Sequence, residues 1–382
     1  MARDAARLTL PPSLMNVGAG DVIRLPDEHG DGLFRVDQSE QTDRQALEAV
    51  RIEPAIYEPQ DVTEKTFNLR SFVAPVPVEL MLMDLPLLRG DEDTAPYAAA
   101  SGVPWPGSVA LYSATQDAGY DLNRLITSAS VMGQTETDMG PACAGLYDRG
   151  PALRVKLIRG SLQSIGEDQL LGGGNIAVVG DGTSGHWEVF QFGTAEIAGT
   201  DTYDLTQRLR GQAGTDGATA MNWPVGSIFV LLDGTPAQIA LASSARGVTQ
   251  HFRYGPGSRP LGDPSYQYRT DAFAGAALRP YSVAHLRDTA DSGGTDLTWI
   301  RRARKDGDGW DGDVPLSEAF ERYAIRVFKD DVLKRQETIN TATWRYTTAM
   351  KTFDGAGVTR VEVAQISDVY GEGPPASLIL PN

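Results

Sequence analysis

Four short segments toward the C-terminus place a bulky apolar side chain at every second position: Leu297–Arg301, Tyr323–Val327, Thr343–Thr347 and Arg360–Ala364. That alternation has the two-residue period of a pleated strand, so one face of each segment can be buried while the other meets water. Between them stand Lys305-Asp306-Gly307-Asp308-Gly309, Lys329-Asp330-Asp331 and Asp354-Gly355-Ala356-Gly357, residue types that close turns. Strands this short, punctuated this often, predict a small β-sandwich over residues 281–382, with Trp299 and Tyr323 as its large core pieces.

The same pattern runs upstream. Asp21–Leu25 and Leu33–Val36 flank the turn Pro26–Gly32, which predicts a hairpin within a small β unit over residues 1–60. Gln41–Val50 is open: its Ala and Glu favour helix, while the preceding hairpin favours a third strand. Pro75, Pro77, Pro86, Pro96, Pro104 and Pro106 break every candidate helix in residues 61–107, so an extended connector is expected there. Residues 108–280 are dense in strand patterns: Val109–Ser113, Leu153–Arg159, Asn175–Val179, Trp187–Phe192 and Ser227–Leu232, with a strand pair around Gln250–Tyr254 and Tyr266–Arg269. No repeat of fixed period is present. The 41 Gly and 23 Pro among 382 residues exceed average usage and suit many turns. The fold class that follows is all-β, in several small modules.

A formal net charge of −16 argues against broad binding to nucleic acid or anionic membranes, both of which need a basic surface. The basic run Arg301-Arg302-Ala303-Arg304-Lys305 is expected to be the solvated end of a strand. No apolar run approaches the length of a membrane span, and the start lacks the apolar core of a secretory signal. A lone cysteine, Cys143, excludes an internal disulfide framework and a multi-cysteine metal site. It is expected to be a buried structural thiol, and the chain to fold in a cytoplasm.

Several motifs invite chemistry. Gly180-Asp181-Gly182-Thr183-Ser184-Gly185 follows an apolar strand and matches the dinucleotide fingerprint, with Asp201 placed for a ribose. The fingerprint needs a helix next, because the helix N-terminus holds the pyrophosphate. His186–Phe192 reads as strand instead, so the turn is expected to be a hairpin. The acidic loop 306–313 suggests calcium, but in an EF-hand numbered from Asp306 the fifth position is Trp310, which offers no oxygen, and the twelfth is Ser317 instead of a bidentate Glu. His29, His186, His251 and His285 show no metal-ligand spacing. The paired acids Glu92 and Asp93, and Glu167 and Asp168, lie in polar turns. Tyr254, Tyr266, Tyr268, Trp310 and Tyr370 fall in or near turns; they either cover the ends of β cores or anchor a partner or sugar ring. No residue is assigned a catalytic, cofactor-binding or metal-binding role, and the chain is not expected to be an enzyme.

The ending Val369–Ser377 resembles the last hairpin of a fibronectin type III domain. A longer series resembles a family: Pro104–Gly107, Gly172–Asn175, Leu209–Asp216, Phe252–Gly257, Ala277–Ser282, Trp299–Arg302 and Val361–Gln365. Their order is similar to that in the tail-tip (baseplate) proteins of gene transfer agents and related siphophages, including the large central protein called the megatron. The resemblance implies a virion structural protein that closes the tail tube at the tip and serves host attachment and DNA delivery. It implies a homotrimer, hub-like β-barrel or sandwich domains, and a fibronectin-like domain projecting from them. The implied partners are hub and distal tail proteins, with no sequence-specific nucleic acid. Long members carry an upstream TIM-barrel hydrolase region, and nothing here has repeating strand–helix units. Any enzymatic role of that region is therefore not carried over, and Met1 fits either a separate short gene or a piece of a longer protein. The alternative reading is a carbohydrate-binding adhesin that presents Trp310 and Tyr370 to a host glycan. A nucleotide-dependent enzyme using the 180–185 turn is opposed by the strand that follows it.

Overall fold

The structure, a computed structural model, describes residues 4–27, 30–57, 78–88, 95–307 and 314–381. The chain divides into two units, Met1–Phe72 and Val73–Asn382. In the first, β1 (Ala5–Leu10), β2 (Val22–Asp27), β3 (Gly30–Gln41) and β4 (Gln45–Arg51) form one antiparallel sheet in the order β1-β4-β3-β2. The open choice at Gln41–Val50 falls to strand. Leu47 and Ala49 alternate inward and pack with Phe34 and Val36, while β1 and β3 pair with both edges of β4. Pairing on two sides outweighs the helix preference of Ala and Glu.

The second unit begins inside the stretch expected to be a connector. Residues 61–77 and 89–94 lie outside the described residues, but β5 (Glu79–Met83) and β6 (Tyr97–Ser101) are strands. The prolines lie outside both, so neither strand loses a backbone donor. Next come β7 (Val109–Ala114) and β8 (Asp121–Ile126). Seven further strands then intervene: β9 (Met132–Thr135), β10 (Tyr147–Asp148), β11 (Leu153–Arg159), β12 (Ile176–Gly180), β13 (Trp187–Gly199), β14 (Thr202–Gln212) and β15 (Ile228–Leu231). A short helix, α1 (Glu167–Leu171), joins β11 to β12. Only afterwards do β16 (Ala237–Gln238), β17 (Gln250–Pro256) and β18 (Gln267–Asp271) complete the sheets β16-β6-β5 and β18-β17-β7-β8. These two sheets bury Leu80, Leu82, Ala98, Leu111, Phe252 and Phe273 between them.

The intervening strands close on themselves. Their order β14-β11-β9-β15-β12-β13 returns to β14 through the β13–β14 pairing, and β10 pairs farther along the edge of β14 that β11 uses. Closure leaves the ring no open edge. Leu153, Val155, Ala177, Val179, Phe190, Phe192 and Phe229 fill the barrel, and the three phenylalanine rings stand 6.2–6.5 Å apart. The opposite faces of the same strands carry Met132, Val178, Val189 and Val230 against Tyr97 and Ala99 of β6. Strand β6 is therefore buried on both faces, which explains its run of small residues, Ala98-Ala99-Ala100.

The last module is the expected sandwich. Its strands are β19 (Ala284–Asp291), β20 (Gly294–Ile300), β21 (Tyr323–Lys329), β22 (Val332–Ile339), β23 (Thr343–Thr347), β24 (Thr359–Ser367), β25 (Gly371–Glu372) and β26 (Ala376–Leu380), with α2 (Thr348–Asp354) after β23. Sheet β19-β20-β23 faces a sheet of β22, β21 and β24, with β25 and β26 both pairing on β24. Gly373-Pro374-Pro375 separates β25 from β26, because proline has no donor for the ladder. This three-on-five arrangement, crossing between sheets after β20, β22 and β23, is fibronectin type III-like. Trp299 and Tyr323 meet edge-to-face at 5.2 Å in its core, and Trp344 stacks on Tyr346 at 5.6 Å.

Candidate functional site

The densest polar cluster lies at one end of the barrel. Alternation along β13 turns Trp187 and Val189 outward and Glu188 and Phe190 inward, so a carboxylate is placed inside. Glu188 accepts from Arg210 Nε at 2.5 Å, Arg210 Nη2 at 2.8 Å, Trp223 Nε1 at 2.8 Å and the Gly211 amide at 3.2 Å. Arg210 also reaches the Gly140 carbonyl at 3.0 Å and Asp148 Oδ2 at 3.2 Å. Asp148 in turn receives two bonds from Arg208, at 3.0 and 2.8 Å, and Arg208 Nη1 donates to the carbonyls of Pro151 and Leu205. Gln207 adopts a positive φ of 53°, which shifts the alternation and lets Leu205, Arg208 and Arg210 all be buried.

Burial opposes the charge of Arg210, but the bonds to Glu188 and Asp148 outweigh it and raise its proton affinity above the ordinary value. Burial likewise pushes the Asp148 carboxyl up. The Gly150 amide and the two guanidiniums more than offset that, holding it below the usual carboxylate range. Arginine does not give up its proton, and every donor around Glu188 is engaged, so the network is a clamp rather than an acid–base pair. It ties the 140–151 segment and Trp223 across the barrel end.

The 180–185 turn is a β-hairpin: Gly180 pairs with Trp187 across β12 and β13, and β13 takes the place of the fingerprint's helix. A Cβ at Gly180 would collide with the Trp187 ring, so this glycine makes room for an indole. Asp181 accepts from the Thr183 amide at 2.9 Å and from His186 Nδ1 at 2.6 Å. Burial pushes its carboxyl up, but those partners hold it below the ordinary value. Ser184 Oγ donates to the Ala272 carbonyl at 2.9 Å, fastening the turn to the neighbouring sandwich. Asp201 is a turn residue at φ 54° between β13 and β14.

The other candidates disperse. His29, Glu92, Asp93, Trp310 and residues 308–313 of the acidic loop lie outside the described residues. Among the described residues no group of three or more His, Cys, Asp or Glu could hold a metal ion. Glu167 accepts the Tyr147 hydroxyl at 3.1 Å, and Asp168 is an exposed first-turn residue of α1. His285 sits in an irregularity of β19 with φ 52°. Cys143 is exposed, against the expected buried thiol, because the 140–146 loop runs over the barrel surface. The basic run is not a solvated strand end either: Arg301, Arg302 and Arg304 pair with Glu321, Asp216 and Glu318 at 3.1–3.2 Å. The Asp216 pair ties the last module to the barrel.

Of the turn aromatics, Tyr254 is buried and Tyr370 half-buried. Tyr266 is half-buried against Tyr112, and burial pushes its hydroxyl up to about 12. Tyr268 is 48% exposed. It ends a row across the outer face of the β18-β17-β7-β8 sheet, where register aligns Leu122, Tyr112, Arg253 and Tyr268. The Arg253 guanidinium lies 5.2 Å from the Tyr120 ring centre and 5.9 Å from that of Tyr268. Asp117 accepts from Tyr120 at 2.7 Å and from Arg253 at 3.0 Å, and these two bonds lower its pKa. His251 Nδ1 lies 2.7 Å from the Tyr268 hydroxyl. Sequence spacing missed Tyr112, Tyr120 and Arg253, which are brought together only by strand register.

Two family models match the chain. "Rcc01698-like, C-terminal" matches residues 130–230, a span that coincides with the barrel. "Putative phage tail protein" matches residues 1–39, covering β1, β2 and most of β3. No curated protein matches. A crystal structure of the rat CD45 extracellular region, domains d3–d4, is similar at 13% identity. The match covers 31% of this chain and 55% of that one, and its TM-score of 0.22 is too low to carry an argument.

Proposed function

We propose that this chain is a structural component of the tail tip of a phage or gene transfer agent, closing the tail tube and assembling with other tail proteins. The observation that carries the reading is the match of residues 1–39 to a phage tail family, which supports a structural role in a phage tail. The all-β architecture suits it: small modules locked by apolar cores and a saturated ion network are built for rigidity. On this reading the chain is not an enzyme. It works as a homotrimer at the distal end of the virion tail, in contact with hub and distal tail proteins. No helix among the described residues is long and apolar enough to cross a membrane. Immunogold labelling of intact particles tests the location, with label expected at the distal end of the tail. Light scattering of the purified chain is expected to give three times the 41.1 kDa subunit mass. Unlabelled particles with the protein free in the lysate would sink the reading.

A second reading is glycan binding, favoured by the row Leu122–Tyr112–Arg253–Tyr268 beside Tyr120, whose two ends, Leu122 and Tyr268, are exposed. An exposed ring such as that of Tyr268, beside the Arg253–Asp117 ion pair, suits sugar stacking. Tyr268→Ala should then abolish retention on host-surface glycans without moving the melting temperature; unchanged retention would assign the row to packing.

A further inference from the structure

We propose that one end of the fibronectin-like module is a binding site for a sugar carrying a single carboxylate. A pocket of about 550 Å3 lies there, lined by the β21–β22 turn, the loop after α2 and the end of β26. Lys329 is 8% exposed, yet its ammonium has one hydrogen bond, to Thr359 Oγ1 at 2.6 Å. Lys351, also on the pocket wall, donates to Thr295 Oγ1 at 2.6 Å. Among the described residues neither ammonium meets a carboxylate. A buried cation with only a hydroxyl partner is costly, and an anion in the pocket would offset that cost. The module is not short of acids: Arg335 pairs with Asp354, Arg345 with Asp291 and Asp296, and Arg360 with Asp331. The two lysines stand apart from this pairing and share one cavity.

The remaining lining narrows the ligand. Asp330 accepts the Val358 amide through Oδ1 at 2.9 Å, which leaves Oδ2 as an acceptor. Gly357, at φ 127°, packs against this carboxylate so closely that a Cβ would stand 2.5 Å from Oδ2. Two ammoniums and one carboxylate suit a monoanion that also brings hydroxyl donors, and disfavour a polyanion. Val358, Leu380 and Pro381 supply an apolar wall for the C–H face of a ring. The volume lies within the range of about 300–1,000 Å3 usual for small-molecule sites.

The test is titration calorimetry on the purified 382-residue chain with glucuronate, glucose and sulfate, so it is independent of where the protein sits in a particle. Glucuronate is expected to bind with a millimolar Kd, at least about tenfold tighter than glucose or sulfate. Lys351→Gln should weaken it about tenfold while leaving melting unchanged, and Lys329→Gln should weaken it as well. Melting curves separate a misfolded variant from a site variant. Equal affinity for glucuronate and glucose, equal affinity for sulfate, or full affinity in folded Lys351→Gln would each overturn the proposal.

Discussion

Four donors converge on Glu188, and Arg210 has no exposure of its own. Glu188→Ala therefore removes the bidentate partner of a buried guanidinium, leaving it the Gly140 carbonyl and one bond to Asp148. The expected loss of unfolding free energy is about 3–5 kcal/mol, read from urea denaturation. An unshifted midpoint would show that the network contributes nothing net. Asp148 gives the pH counterpart. Its folded pKa lies below the ordinary 3.8, so its stabilisation is present above that value and is lost as pH falls through the depressed pKa. Asp148→Asn should lower stability at neutral pH and flatten the acid limb below about pH 4, measured by melting across pH. None of this was legible beforehand. Glu188, Arg210 and Asp148 lie on three segments, and no spacing links a carboxylate to cations that reach it only through barrel closure. The one local sign was charge on an inward-alternating position of Trp187–Phe192, a conflict that asks for a partner without naming it.

At the scale of elements, period-two patterning located most strands, because each is half-buried and its alternation is written in side-chain polarity. The hairpin at 180–185 was legible for the same reason. Its first glycine was not, since only the structure shows Trp187 lying over it. Gly180→Ala should cost about 1–3 kcal/mol and lower the melting temperature, with a change in tryptophan fluorescence. A variant with wild-type melting would mean that the indole has room to move. Strands β5 and β6 escaped notice because β6, Tyr97–Ser101, is buried on both faces and shows no alternation at all. Helix α2 escaped because seven residues are too few to show a helical period; its signal is the Thr347 cap, whose Oγ1 accepts the Met350 amide at 3.2 Å.

On the scale of the whole molecule, the division at Phe72–Val73 predicts that a fragment beginning at Val73 folds alone. It should keep a β-type circular dichroism spectrum and melt cooperatively; a fragment without a cooperative transition would show that the first unit is needed for folding. Within the second unit the barrel interrupts a sandwich, and that arrangement sets an order of events on the ribosome. Strand β7 emerges well before its partner β17, with residues 115–249 made in between. At about 5–20 residues per second, the interval is roughly 7–27 s. A closed ring can be completed in that time, whereas the half-made sandwich must wait with an open ladder on β7. The nascent chain is thus most exposed to wrong strand pairing while its most self-sufficient module is already finished, and the arrival of β17 is the step that ends that exposure.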